Sequence, residues 1–153
     1  MLSNKAKYGF KAMFALGRLG PGELLSSWDI ARDENIPKKF LDLILLELRQ
    51  QGFVRSVRGQ KGGYALGKPA DRITLGDIMR AIDGPLAPIA CASVTAYRRC
   101  RDCDNEAGCL VRQSMRRVRD AASDVLDQST LKSAINSKPP RAAKRRAQRS
   151  PVL

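Results

Sequence analysis

Residues 36–66 read IPKKFLDLILLELRQQGFVRSVRGQKGGYAL. Leu41, Ile44, Leu45 and Leu48 recur at i, i+3, i+4 and i+7, which is one face of a helix. Pro37 suits the first turn, where a missing N–H leaves no bond unmade. Gly52 stands where a helix ends on a left-handed residue. Phe53–Val57 and Tyr64–Leu66 then read as two short strands around a basic, glycine-rich tip running from Arg58 to Gly63. A basic helix followed by a basic β-tip is the arrangement with which a winged helix-turn-helix grips DNA.

The bulk properties fit that reading. The chain has 153 residues, long enough for one domain with an extra arm, and its 43% hydrophobic content supports a real core. It carries 28 Lys and Arg against 15 Asp and Glu, a net charge of +13. Six of the bases lie beyond residue 137 and every acid lies before it, so residues 1–137 still carry +7. An excess not confined to the tail favours a polyanionic partner, through phosphate neutralisation and counterion release. The start, MLSNKAKYGF, lacks the continuous apolar run of a secretory signal, and no segment approaches a membrane span. These features place the chain in the cytoplasm with no membrane partner. There, clustered cysteines are thiols or metal ligands rather than structural disulfides.

Elsewhere, residues 4–19 read as a first helix with a stripe of Tyr8, Ala12, Ala15 and Leu19. Gly20-Pro-Gly22 breaks it. Ser26 caps a short second helix over 27–34, with Asp29 completing a capping-box pattern. Two short helices joined through Glu34-Asn-Ile-Pro37 make a helix-turn-helix. Thr74-Leu-Gly-Asp77 caps another short helix that stops near Asp83-Gly-Pro85. Residues 86–109 show no period and read as a loop. From Leu110 a long helix returns, in which Val111, Met115, Val118, Ala122 and Val125 form a heptad-like seam suited to a dimer. The fold class is therefore mainly α with a small β-wing. Its divisions are a winged helix-turn-helix over 1–84, a cysteine-bearing sensor loop over 85–109, a dimerisation helix and return segment over 110–137, and a basic, disordered tail over 138–153.

Several separated motifs together resemble the IscR/NsrR/RirA-type family of bacterial transcription regulators. They are Tyr8-Gly-Phe-Lys-Ala12, Ile36-Pro-Lys-Lys-Phe-Leu41, Gly52-Phe-Val-Arg-Ser-Val-Arg-Gly59, Gly62-Gly-Tyr64 and Ile73-Thr-Leu-Gly-Asp-Ile78. The match extends to about residue 135. It implies a homodimer, acting as a repressor, with a long crossed dimer helix and an iron–sulfur cluster held by the loop before it. The implied partner is a pseudo-palindromic double-stranded DNA operator.

Taking Leu41 as the centre of the buried stripe, Lys39, Leu43, Leu46 and Gln50 face outward, with Lys38 and Asp42 flanking them. Where the family commonly has Glu, this chain has Asp42. Where the next position is often polar, it has Leu43, which can pack on a thymine methyl but cannot hydrogen-bond a base. In the wing, Arg58 and Lys61 suit a narrow minor groove. Gly62 and Gly63 allow positive φ and close backbone approach, and Arg55 and Ser56 reach phosphates. Ser26 and Tyr64 complete the candidate DNA-contacting set. The glycine-rich tip opens no helix and lacks a phosphate-loop pattern, which excludes nucleotide binding.

All four cysteines fall in one loop as Cys91-x8-Cys100-x2-Cys103-x5-Cys109. Thiolates suit iron–sulfur clusters or zinc. In the cluster-binding relatives three spaced cysteines are joined by a fourth ligand. Cys91, Cys103 and Cys109 match the three. The chain has no histidine and no acid in its first helix, so Cys100 or Cys103 is the extra thiol that completes a four-cysteine set. Arg98, Arg99, Arg101 and Arg112 are expected to favour thiolates. A metal-free thiol switch, using the Cys100/Cys103 pair, and a zinc site remain the alternatives. Without histidine there is no Cys–His nucleophile, so no enzyme is expected. A general basic nucleic-acid-binding protein would account for the charge but not for the helix-turn-helix order or the cysteine loop.

Overall fold

The structure, a computed structural model, describes residues 2–137. The predicted basic tail lies outside the described residues. Six helices and one two-stranded sheet follow in the order α1 (Asn4–Gly17), α2 (Ser27–Asp33), α3 (Lys38–Gln50), β1 (Val54–Val57), β2 (Gly63–Leu66), α4 (Leu75–Asp83), α5 (Leu110–Gln128) and α6 (Leu131–Asn136). The fold is mainly helical with a small β-wing, as the residue pattern predicts. No helix among the described residues is long and apolar enough to cross a membrane.

α3 supplies the centre of the core. Leu41, Ile44, Leu45 and Leu48 are fully buried, alongside Met13 and Leu16 of α1, Ile30 of α2 and Ile78 of α4. Pro37 is the residue before the helix rather than its first turn. The other end closes as a Schellman motif: Gly52 N–H donates to the Arg49 carbonyl and Phe53 N–H to the Leu48 carbonyl. Gly52 has φ 77°, which only glycine adopts without strain. The turn from α2 into α3 is made by Asn35 at φ 51°, a left-handed position that Asn tolerates. Ile36 then drops into the core, its N–H bonded to the Ala31 carbonyl.

The stripe expected on α1 is out of phase. The helix buries Ala6, Gly9, Ala12, Met13 and Leu16, not Tyr8, Ala15 and Leu19. The reason is close approach: a Cβ at Gly9 would run into the Ile82 side chain of α4. Small residues therefore mark the crossing. Tyr8 sits at the rim, its ring 6.5 Å from that of Phe40.

β1 and β2 pair antiparallel, Val54 opposite Leu66 and Val57 opposite Gly63. Leu25, just before α2, exchanges both backbone bonds with Tyr64, so the wing is tied to the helix-turn-helix. Thr74 caps α4 in a reciprocal box with Asp77. The segment after α5 does more than return. Thr130 caps α6, and Leu131 enters the same core as α1, with Ile135 packed against it. Leu131 N–H bonds to the Ile73 carbonyl and Leu75 N–H to the Ser129 carbonyl, stitching this end of the chain to the start of α4.

α5 itself buries no residue. Val111, Val118 and Val125 of the seam are exposed, and Met115 and Ala122 are half-buried.

The two adjacent leucines of α3 give a direct test of this packing. Leu45→Ala should destabilise the chain by about 2–5 kcal/mol, through lost burial and an unfilled cavity. Leu46→Ala, on the exposed side, should fall within about 0.5 kcal/mol of the parent. Urea unfolding of both variants measures the contrast.

Candidate nucleic-acid interface and cysteine pocket

Burial of one face of α3 turns the opposite face outward. Lys39, Leu43, Leu46 and Gln50 are all exposed there, as the helical spacing predicts. Lys39 has no hydrogen-bond or ion-pair partner among the described residues. Lys38 does: its ammonium lies 2.6 Å from Asp42 Oδ1 and 2.7 Å from Oδ2, and 5.0 Å from the centre of the Trp28 ring. Lys38 and Asp42 thus neutralise each other beside an aromatic face.

Trp28 is 72% exposed, at the start of α2 on this side of the molecule, and was missing from the candidate set. Its signal was present: it is the chain's only tryptophan, two residues after a helix cap, where no apolar stripe needs it. Ser26 is engaged as that cap. Its hydroxyl oxygen accepts the Asp29 N–H and its O–H donates to Asp29 Oδ2.

In the wing, Arg55, Arg58 and Lys61 are exposed and have no ion-pair partner among the described residues. The Ser56 hydroxyl accepts a bond from Arg49, linking strand to helix. Tyr64 is half-buried and held by Leu25. The expectation of positive φ at Gly62 and Gly63 is corrected: the tip residue with positive φ is Gly59, at 119°. Gly62 and Gly63 are needed for space. A Cβ at Gly62 would strike the Val57 carbonyl, and one at Gly63 would come within 2.9 Å of the Leu25 carbonyl oxygen.

The four cysteines line one cavity of about 390 Å³, together with Ile89, Asp102, Asp104, Asn105, Val111 and Arg112. Cys91 is buried in a single 3-10 turn over Ala90–Ala92, Cys103 and Cys109 are half-buried, and Cys100 stands exposed at the mouth. Cys109 caps α5, its sulfur accepting the Arg112 N–H at 3.4 Å. Tyr97 donates to Glu106 across the loop. From α5, Arg112 Nε donates to the Cys91 carbonyl at 2.9 Å and Arg119 donates to the Ala92 carbonyl. Two guanidinium groups thus hold the Cys91 turn onto the long helix. At its far end, Asp127 pairs with Arg80 of α4.

The arginines do not dominate the thiols: only Arg99 acts on Cys103 in the expected direction, and it is outweighed. Arg112 and Arg99 are bonded to backbone carbonyls. The Cys100 thiol is held above its ordinary pKa, first by the neighbouring Cys91 thiol and then by loss of hydration. Cys103 is raised chiefly by loss of hydration and by the neighbouring Cys109 and Glu106, with Arg99 opposing. The thiol that weighs most on Cys100 is thus Cys91, not Cys103. Among the described residues no three Cys, Asp or Glu side chains converge closely enough to hold one metal ion. The donor chemistry, four soft thiols around one cavity, nonetheless suits an iron–sulfur cluster.

A winged helix-turn-helix with a basic outward face and a separate thiol pocket defines a class: the helix-turn-helix transcriptional regulators. Residues 2–137 match the Rrf2 family, described as an iron-dependent transcriptional regulator, and the chain belongs to that family. It is 37% identical over 145 residues to a protein of Rhodobacter capsulatus named as an rrf2-like HTH-type transcriptional regulator, covering 93% of this chain and 97% of the relative. The HTH-type transcriptional regulator CymR of Bacillus subtilis is 36% identical over 133 residues, 85% of this chain and 86% of CymR. The solved structure of CymR, the global cysteine regulator of B. subtilis, superposes with a TM-score of 0.74 at 32% identity, over 91% of this chain and 98% of CymR. The IscR structure from T. potens gives 0.70 at 27% identity, over 88% and 85%. The chain is thus a transcriptional regulator and not an enzyme.

The thiol pairing has a titration signature. Alkylation of Cys100 by iodoacetamide, resolved by peptide mass spectrometry, should reach half its limiting rate above the ordinary thiol pKa, because the thiolate is the nucleophile. Cys91→Ala removes the largest cause of that shift, so the midpoint should move to lower pH. An unchanged midpoint would show that the two thiols are not paired.

Proposed function

We propose that this chain is a homodimeric, DNA-binding transcriptional repressor of the cytoplasm whose loop cysteines hold an iron–sulfur cluster as the sensor. Cys91, Cys103 and Cys109 would ligate it, with Cys100 as fourth ligand. The observation that carries the sensor reading is that all four cysteines of the chain line one cavity at the start of α5. The family description as iron-dependent supports it. When bound, such a cluster supplies a redox-active centre that oxidants, nitric oxide or iron shortage can remove.

DNA would be met by two segments of residues 1–84. Lys39 and Leu43 of α3 face the major groove, and Arg55, Arg58 and Lys61 meet phosphates and the minor groove. The unburied seam of α5 supports a two-fold dimer, and hence a pseudo-palindromic operator with half-sites about one helical turn, or a multiple, apart. Residues 138–153 would add affinity to any duplex without reading its sequence. The signal would pass from the Cys91 turn through Arg112 and Arg119 to α5, and through Asp127 and Arg80 to α4. A coupling of about 1–3 kcal/mol gives a 5–150-fold change in affinity.

One observation favours a second reading. Cys91 and Cys100 line the same cavity and Cys91 is the leading influence on the Cys100 thiol, which would let a peroxide oxidise the two to a disulfide, two thiol protons and two electrons passing to the oxidant.

Iron and sulfide analysis of anaerobically purified protein separates the readings. The cluster reading expects both elements, lost in Cys91→Ser, Cys103→Ser and Cys109→Ser. Colourless, iron-free protein whose DNA affinity still changes with peroxide would favour the disulfide.

The DNA face is tested by salt titration of operator binding. Lys39→Ala, Arg58→Ala and Lys61→Ala should each lower the slope of log K against log salt by about one unit. Lys38→Ala should lower it less, because Lys38 is already paired with Asp42. Parent-like slopes in all three would move the interface elsewhere.

A further inference from the structure

We propose that Leu43 is a specificity determinant that reads the 5-methyl group of a thymine in each half-site. The proposal deepens the DNA-binding reading and rests on it. Leu43 is 58% exposed on the outward stripe of α3, and no element among the described residues covers it. It lies one turn after Lys39, on the helix that the helix-turn-helix presents to the groove. A leucine cannot donate to or accept from a base edge. The major groove offers one apolar feature, the C5-methyl of thymine.

The neighbouring polar reader is occupied. Asp42 would otherwise accept a bond from a cytosine amino group. Both of its oxygens are held by Lys38, which is itself set over the Trp28 ring. A bare carboxylate is disfavoured in a groove walled by phosphates and Asp42 is already paired, which makes the adjacent outward side chain, Leu43, the better placed to meet a base. The surroundings say what covers this apolar residue. Lys39, Arg55, Arg58 and Lys61 are exposed without ion-pair partners among the described residues. That charge complements a polyanion rather than an apolar protein surface.

The test uses the full-length chain. Duplexes are selected from a random library, and each thymine of the recovered site is replaced in turn by deoxyuridine, which removes the methyl and keeps every hydrogen-bonding group. Loss of one buried methyl is worth about fourfold in affinity, and about fifteenfold when it is lost from both half-sites. The expected result is one symmetry-related thymine per half-site showing that penalty, and a Leu43→Ala variant that binds thymine and deoxyuridine duplexes equally. Leu43→Met should keep the discrimination. Because the side chain is exposed, the variants should unfold at the parent temperature, which is checked alongside. If no deoxyuridine position matters, or if Leu43→Ala shows the same penalty as the parent, Leu43 does not read a methyl. If no duplex is enriched over random DNA, the DNA-binding reading itself falls.

Discussion

Burial of Leu41, Ile44, Leu45 and Leu48 sets the rotation of α3 about its own axis, and most of the molecule's functional geometry follows from that one setting. The four side chains are fully buried against α1, α2 and α4. Turning the helix would expose several of them, at about 1.5–3 kcal/mol for each side chain returned to water. The outward stripe is therefore not chosen independently. Lys39, Leu43, Leu46 and Gln50 face solvent because their neighbours cannot. The same burial places the Gly52 turn, and the turn aims β1 along its path out of the core.

α5 has the opposite problem. It is the longest helix and buries nothing within one chain, so its position depends on point attachments. These are Arg112 and Arg119 on the Cys91 turn at one end, Asp127 with Arg80 at the other, and the Leu131 segment stitched to α4 beyond it. Gly76 leaves the room that the Asp127 side chain needs, since a Cβ there would collide with it. An element held by a few polar contacts has small free-energy differences between positions, whereas one sunk in a close-packed core does not. That is the physical ground for proposing a sensor at its base.

The helix-turn-helix, the wing and the start of α5 were legible because their signals are local. A buried stripe, a helix-ending glycine and a capping threonine each act over a few residues. What was missed depends on contacts distant in sequence. The seam of α1 is set by small residues that admit Ile82, so an apolar count puts its phase wrong. Leu131 looks like part of a return segment until it is seen in the core beside α1. At the candidate site, the residues on the recognition face and in the cysteine loop could be named from spacing. Their partners could not. Nothing in the order of residues pairs Lys38 with Trp28 as well as Asp42, or Cys100 with Cys91 across eight intervening residues rather than with nearby Cys103. Gly62 and Gly63 were assigned a φ need where the need is for space, because a steric need and a φ need look alike in sequence.

The charge pattern shows the same limit and resolves it. A net +13 suggests a uniformly adhesive surface, but many of the cations have structural partners. Arg112, Arg119 and Arg99 are bonded to backbone carbonyls, Arg80 to Asp127, Lys5 to Glu47, and Lys38 to Asp42. Exposed pairs of this kind contribute about 0–1 kcal/mol each to stability, so their larger effect is on where free charge remains. On α3 and the wing, Lys39, Arg49, Arg55, Arg58 and Lys61 have no carboxylate partner among the described residues. Net positive charge favours the approach of a polyanion, and screening confines such attraction to within about 10 Å in ordinary salt. Within that distance the proposed reading gives the unpaired cations the seating of the duplex and the exposed Leu43 a part in distinguishing one sequence from another.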